Sequence, residues 1–250
     1  MGLIEFFGKR KEQKAQKQLH RYCNIVANKK LKNEDREIAI EELKKIGSKE
    51  AIFGLLHRYD FIYEKLIEDR QEKELVMSIV LSFKEKSIAP LKKYLKESST
   101  VGWPVKILKE LIPEEEVVSL LLEVLTTEEM SFQRDEMEKN IDVLNTLTEF
   151  NDIRIADKVL PFLDGDFDDQ TKLSAIEIMG KLKAESGREK LLTLFVNKET
   201  PVRLKTEILA VLIKAGLPVT GFRKTIEEML PSGYDITREG KIILRKTSTD

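Results

Sequence analysis

The stretch that decides the fold is residues 34–58, which read EDREIAIEELKKIGSKEAIFGLLHR. Its apolar side chains recur at intervals of three to five residues, at Ala39, Leu43, Ile46, Ala51 and Leu55. This spacing is typical of amphipathic helices, which bury one apolar stripe. Gly47 lies between the two apolar groups, and glycine is favoured directly after a helix because it adopts the left-handed conformation without strain. The stretch therefore predicts two helices joined by a short turn.

The same spacing returns four more times along the chain. The positions equivalent to Ala39 are Val76, Val143, Ala175 and Thr206. Successive positions are 37, 67, 32 and 31 residues apart, and the interval of 67 residues has room for two copies. A basic residue stands three positions earlier in most copies, at Arg36, Lys73, Lys172 and Arg203, whereas Asn140 takes that place in one copy. A period in this range predicts an array of about six helical hairpins.

A helical hairpin with an apolar stripe on both helices cannot cover that stripe alone, so neighbouring hairpins must stack. The sequence therefore predicts an all-α fold, a right-handed α-α superhelix or solenoid of about six hairpins over residues 33–230. Gly47, Gly180 and Gly216 are expected to end first helices. In the sixth hairpin, Thr206 and Leu209 are expected to face inward.

Three segments carry a resemblance to a known family: residues 34–58, residues 168–195 (DDQTKLSAIEIMGKLKAESGREKLLTLF) and residues 198–216 (KETPVRLKTEILAVLIKAG). They resemble the armadillo-like HEAT-repeat superfamily, specifically the short bacterial HEAT-like units of bilin lyase subunits. The resemblance covers residues 33–230 and implies an α-solenoid. It says little about function, because the superfamily includes scaffolds, adaptors, lyase subunits and a DNA glycosylase branch.

Residues 1–32 form a basic N-terminal arm. Between Lys9 and Lys32 there are nine basic residues and one acidic residue, Glu12, so the net charge is +8. Apolar residues spaced three or four apart predict an amphipathic helix that caps the first repeat. The preceding residues 2–7, GLIEFF, could lie in an anionic membrane interface, pack on the end of the solenoid, or be disordered.

Residues 231–250 form the third predicted segment. Within it, residues 233–245 read GYDITREGKIILR and alternate in polarity around Glu239 and Gly240. This pattern predicts a two-stranded β-hairpin. Since an isolated hairpin is marginally stable in water, it is expected to lie against the last helices, and the final KTSTD is expected to fray.

The whole-chain charge favours neither nucleic acid nor membrane, because 43 basic residues nearly balance 44 acidic residues. Any such binding must come from a local patch. The single cysteine, Cys23, cannot form an internal disulfide. No secretory signal pattern and no apolar run of membrane-spanning length is found, so a cytoplasmic protein is expected.

The sequence predicts no catalytic residue, no cofactor and no metal. One cysteine and two histidines are too few for an ordinary structural zinc site, and no phosphate-binding glycine loop is present. Asp164, Asp166 and Asp168 imitate the start of a calcium loop, but Asp169 and Ala175 stand where glycine and glutamate are needed. We expect this turn to cap a helix.

The predicted function is a non-catalytic scaffold or adaptor that holds a protein partner. Residues expected to face outward from second helices are the candidates for contact: Phe53, His57, Lys93, Lys96, Asp157, Lys190, Arg223 and Lys224. His57 is interpreted as a surface residue and not as a catalytic one. The acidic segment from Pro113 to Glu138 carries nine acidic residues and one arginine, so it is either a solvated helix face or a site for a basic partner.

Three alternatives stay open. The first is a HEAT-like DNA-binding protein or DNA glycosylase, which the acidic middle segment disfavours because phosphates would be repelled there. The second is a lyase-like or chaperone role. The third is a peripheral-membrane adaptor anchored through the N-terminal arm. No specific nucleic-acid binding is expected.

Overall fold

The computed structural model describes residues 3–126, 134–164 and 167–245. In these ranges the chain is mostly helical, with thirteen α-helices, four short 3-10 helices and one two-stranded antiparallel sheet. The predictions of a mostly helical protein and of a C-terminal β-hairpin are confirmed.

The bounds of the elements are as follows. The α-helices are α1 (Leu3–Val26), α2 (Asn33–Ile46), α3 (Lys49–Leu56), α4 (Leu66–Ser82), α5 (Ile88–Glu97), α6 (Gly102–Lys109), α7 (Glu114–Val124), α8 (Arg134–Leu147), α9 (Arg154–Val159), α10 (Asp169–Leu182), α11 (Arg188–Val196), α12 (Val202–Ala215) and α13 (Arg223–Met229). The 3-10 helices are His57–Asp60, Lys84–Ser87, Leu160–Leu163 and Glu185–Gly187. The strands are β1 (Tyr234–Ile236) and β2 (Ile242–Leu244).

The chain divides into two compact units, Met1–Leu120 and Leu121–Asp250. In the first unit α2 and α3 form a hairpin, and α1 packs against both helices. α2 also contacts α4, α3 contacts α5, and α4 contacts α6. Helices at equivalent places in successive hairpins therefore pack on one another, and they bury Ile40, Leu43, Ile52, Leu55, Val76, Val80, Leu91 and Leu95 between them.

The turn between α2 and α3 has the predicted geometry. Gly47 ends α2 with a left-handed φ of 54°, and its N–H donates to the carbonyl of Leu43. The Ser48 side chain then caps α3 by accepting from the N–H of Ala51. Ile46 departs from the predicted pattern, because 43% of its surface is exposed at the end of the helix.

In the second unit the longer helices α8, α10 and α12 also pack on one another in order. α10 contacts both α8 and α12, and α11 contacts both α12 and α13. Gly180 does not end α10 as expected, since the helix continues to Leu182 and Lys183 takes the left-handed conformation with φ 48°. A Cβ at Gly180 would lie 2.6 Å from a methyl carbon of Val211. The glycine therefore serves close packing of α10 against α12.

The expected orientation of α12 is partly wrong. Thr206 and its neighbour Ala210 are exposed, whereas Ile208 and Leu212 are fully buried. Packing on both α10 and α11 favours the larger apolar side chains at the interfaces, so the buried stripe lies two positions later than expected. Leu209 is buried, as expected.

The C-terminal hairpin pairs Tyr234 with Leu244 and Ile236 with Ile242 in an antiparallel register. β1 contacts α13 and β2 contacts α12, so the hairpin lies against the last helices as expected. Gly240 in the connecting loop has φ 81°, and its carbonyl accepts from the N–H of Val219 at 2.7 Å. The predicted KTSTD tail lies outside the described residues.

Residues 3–26 of the N-terminal arm form a helix, as predicted. α1 has 24 residues and begins at Leu3. Across the described parts of the chain, no helix combines the length and the apolar character needed to cross a membrane.

Candidate partner-binding surface

Packing of α3 on α5 brings together three of the residues predicted to contact a partner. Phe53 and His57 lie four positions apart at the end of α3, so they share one side of the chain, and their ring centroids are 5.0 Å apart. Lys93 on α5 places its ammonium nitrogen 4.2 Å from the centroid of the Phe53 ring. We call this face, together with the adjoining Lys49, Glu50, Ala89 and Pro90, the α3–α5 surface.

A tyrosine behind this surface holds the end of α3 in place. Tyr94 is buried, and its hydroxyl donates to a carboxylate oxygen of Asp60. The other oxygen of Asp60 lies 2.7 Å from Nδ1 of His57. Burial raises the pKa of the Tyr94 phenol above its ordinary range, and the negative charge of Asp60 adds to this effect. The phenol therefore stays protonated, and Asp60 links it to the His57 ring.

A cavity of about 240 Å³ opens on the α3–α5 surface. Phe53, Ala89 and Pro90 form its apolar lining, and Lys49, Glu50 and Lys93 form its charged lining. Small-molecule sites usually have volumes of roughly 300–1,000 Å³. The cavity is therefore better suited to one anchoring side chain of a larger partner than to a whole cofactor.

Lys96 extends the positive charge of this surface. It lies three residues after Lys93, on the same side of α5, and both side chains are exposed. Lys93 is also 3.9 Å from a carboxylate oxygen of Glu97, which is about the limit of an ion pair. Such an exposed pair stabilises the fold little, so Lys93 can exchange this partner for another carboxylate.

The other four predicted residues lie in the second unit. Asp157 is exposed on α9, and Lys190 on α11 forms an ion pair with Asp164. Arg223 and Lys224 begin α13 and are exposed. Within the described residues, no hydrogen bond or ion pair joins any two of these four side chains, so they do not form a cluster.

Arg223 already has a structural role. Its guanidinium donates to the carbonyl oxygens of Thr237 and Ile236 at 3.0 and 3.2 Å, and it pairs with Glu227 at 2.8 Å. These bonds tie α13 to the end of β1. The position of Arg223 is therefore explained by the fold of the C-terminal hairpin.

A buried charge network that sequence reasoning did not identify lies between α2, the end of α3 and α4. Glu72 accepts from Nε of Arg36 at 2.9 Å and from Nε of Arg58 at 2.6 Å. Asp69 binds Arg58 at 2.8 Å and Lys73 at 2.9 Å. All five side chains are at most 8% exposed. Charges buried this deeply persist only when they are paired and hydrogen-bonded.

This network shapes the segment between α3 and α4. Arg58 donates to the carbonyl of Phe61, and the N–H of Tyr63 donates to Asp69. Tyr63 also lies against the guanidinium of Arg36, with 4.3 Å between the guanidinium carbon and the ring centroid. The network therefore fixes the connection between the first two hairpins, which in turn fixes how α5 meets α3.

The sequence did contain a signal for this network, namely the basic residue that recurs in the repeat. Arg36 and Lys73 both stand three positions before a repeat position, and both are buried in the network. Asn140, which takes the equivalent place in a later copy, is also buried and bonds Thr126 through both its amide nitrogen and its amide oxygen. Of the two remaining positions, Lys172 is half-buried and Arg203 is exposed, so the burial is not shared by every copy.

The aspartate-rich turn caps a helix, as expected. Asp168 is the N-cap of α10 and accepts from the N–H groups of Gln170 and Thr171. Asp164 pairs with Lys190, and Asp166 lies outside the described residues. In the part of the chain that the structure describes, no group of three or more His, Cys, Asp or Glu side chains could hold a metal ion.

The acidic segment is helical at its start. Glu114, Glu115 and Glu116 occupy the exposed first turn of α7, where the helix dipole favours negative charge. Glu123 lies further along α7 and is also exposed, whereas Glu128 and Glu129 lie outside the described residues.

Comparisons with protein-family models, with curated proteins and with solved structures find no match. The resemblance to HEAT-like repeats therefore stays a prediction from the repeat pattern.

Proposed function

We propose that this protein is a non-catalytic HEAT-like scaffold, with its hairpins stacked as a right-handed solenoid, that binds a polypeptide partner through the α3–α5 surface. The observation that carries the proposal is the exposed lysine beside an aromatic ring at the mouth of an apolar cavity, formed by Lys93 and Phe53. Packing of equivalent helices within each unit supports the repeat assignment.

The lining of the cavity defines the chemistry of the partner. Phe53, Ala89 and Pro90 favour an apolar anchor, and aromatic residues such as phenylalanine are enriched at protein interfaces. Lys49 and Lys93 outnumber Glu50 around the cavity, so a carboxylate next to the anchor is complementary. The partner that fits is a peptide or helix with an aliphatic or aromatic residue flanked by Asp or Glu.

A peptide-display selection against the full-length chain tests this proposal. The selected peptides are expected to share an apolar residue beside a carboxylate. Their affinity is expected to fall at least about tenfold for Phe53→Ala and for Lys93→Glu, which corresponds to about 1.4 kcal/mol. Lys224→Glu is the matched control, because it makes the same charge change at an exposed position of α13.

Two outcomes would overturn the proposal. One is a selection that yields no peptide above background. The other is a set of peptides whose affinity is the same for the wild-type chain, Phe53→Ala and Lys93→Glu, because the binding site would then lie elsewhere.

A further inference from the structure

A stripe of positive charge runs along the exposed side of α1. Five basic side chains lie on it: Arg10, Lys11, Lys14, Lys17 and Arg21. At 3.6 residues per turn they fall within an arc of roughly 120° around the helix axis. All five are exposed, and within the described residues none of them forms an ion pair. We call these five residues the α1 stripe.

The other side of α1 is the one that packs on the protein. Leu19 and Cys23 are half-buried and Val26 is fully buried, where α1 meets α2 and α3. Every residue from Arg10 to Gln18 is exposed. Within residues 10–18, packing against the other helices therefore does not explain the basic side chains.

A groove continues the stripe toward the end of the helix. It has a volume of about 480 Å³ and is lined by Lys17, His20, Arg21, Asn24, Ile25, Asn28 and Leu31. The described residues that line it include two cations and several amide or imidazole groups, and none of them is a carboxylate. Such a lining favours anionic groups, phosphates among them.

We propose that the α1 stripe and this groove bind the phosphate headgroups of an anionic membrane surface, independently of the α3–α5 surface. Clustered Lys and Arg are attracted to anionic lipids, with each side chain adding to the binding. The sequence of α1 favours a membrane over a nucleic acid, because the basic residues follow Leu3, Ile4, Phe6 and Phe7 on the same helix. An apolar segment next to basic residues is typical of interfacial helices.

Co-sedimentation of the full-length chain with vesicles tests this proposal. One set of vesicles contains equal parts of phosphatidylcholine and phosphatidylserine, and the other contains phosphatidylcholine alone. We expect binding only to the first set, weakened by added salt, and reduced at least about tenfold in Lys14→Glu/Lys17→Glu. Both positions are exposed, so the variant is expected to keep its circular dichroism spectrum and melting temperature.

Lys198→Glu/Lys224→Glu is the matched control, since it makes the same change in charge at exposed positions of the second unit. Labelled duplex DNA and RNA are titrated at the same ionic strength. The proposal is overturned if the anionic vesicles are not bound, if both double variants lose binding equally, or if a duplex is bound more tightly than the vesicles through the same stripe.

Discussion

The ammonium group of Lys93 lies over the ring of Phe53, 4.2 Å from its centroid, although the two residues are on different helices and 40 positions apart in the chain. An exposed cation–π contact of this kind contributes only about 0.5–1 kcal/mol to stability. Stability alone therefore gives little reason for an exposed lysine and a half-exposed phenylalanine at the mouth of a cavity. The proposed binding role would account for both.

The first prediction separates binding from folding at this surface. Phe53→Ala is expected to lower the free energy of unfolding by only about 1 kcal/mol, because the ring is partly exposed. Phe150→Ala is the matched control, since Phe150 is 1% exposed and its loss is expected to cost about 3–5 kcal/mol. Urea denaturation of both variants provides the comparison. Equal losses would mean that Phe53 is a core residue and not a contact residue.

The second prediction concerns the buried network. Glu72→Gln removes the carboxylate that both Arg36 and Arg58 bind, which leaves positive charge buried without its partner. We expect a loss of about 3–5 kcal/mol. Glu74→Gln removes an equivalent ion pair with Arg70, but both of those side chains are at least 50% exposed, so the expected loss is under about 1 kcal/mol. Similar melting temperatures for the two variants would contradict the assignment of Glu72 to a buried network of ion pairs.

The third prediction tests the contact between α1 and α3. A Cβ at Gly54 would lie 2.2 Å from the sulfur of Cys23, so in Gly54→Ala the Cys23 side chain or the helix that carries it must shift. We expect a loss of about 1–3 kcal/mol, even though alanine is the better helix former. Gly102→Ala has no atom within 4 Å of the new methyl group and is expected to be neutral or slightly stabilising. Partial recovery in Gly54→Ala/Cys23→Ala would locate the clash, and a neutral Gly54→Ala would show that α1 does not pack here.

The fourth prediction tests the orientation of α12. Leu209 is 6% exposed, so Leu209→Ala is expected to cost about 2–5 kcal/mol. Val202 on the same helix is 80% exposed, and Val202→Ala is expected to change stability by less than about 0.5 kcal/mol. Thermal unfolding of the two variants is the measurement. A Leu209→Ala variant as stable as Val202→Ala would mean that α12 is rotated.

Features that depend only on residues close together in the chain were predicted correctly from local sequence patterns. The turn at Gly47, the cap at Asp168 and the hairpin around Gly240 each follow from a few adjacent side chains, and all three are confirmed. The burial of α12 depends instead on two packing partners. The repeat spacing places Thr206 in the buried stripe, but Ile208 and Leu212 bury more apolar surface against α10 and α11.

The candidate site was predictable only where it depends on the local spacing of residues along a helix. Outward positions on α3 and α5 could be read from helical spacing, so Phe53 and Lys93 were identified. Their mutual contact depends on the connection held by Arg58 and Asp69, which no short period in the sequence encodes. Helical spacing also predicted that Arg223 faces outward, but its guanidinium donates hydrogen bonds to the carbonyl groups at the end of β1.

The most direct test of the partner-binding proposal is a double-mutant cycle between Lys93 and the carboxylate of a selected peptide. Binding is measured by calorimetry for the wild-type chain and Lys93→Met, each with the acidic peptide and with its amide analogue. We expect a coupling energy of at least about 0.5 kcal/mol that is absent when Lys224→Met replaces Lys93→Met. A coupling energy of zero, with both variants binding as the wild type does, would contradict it.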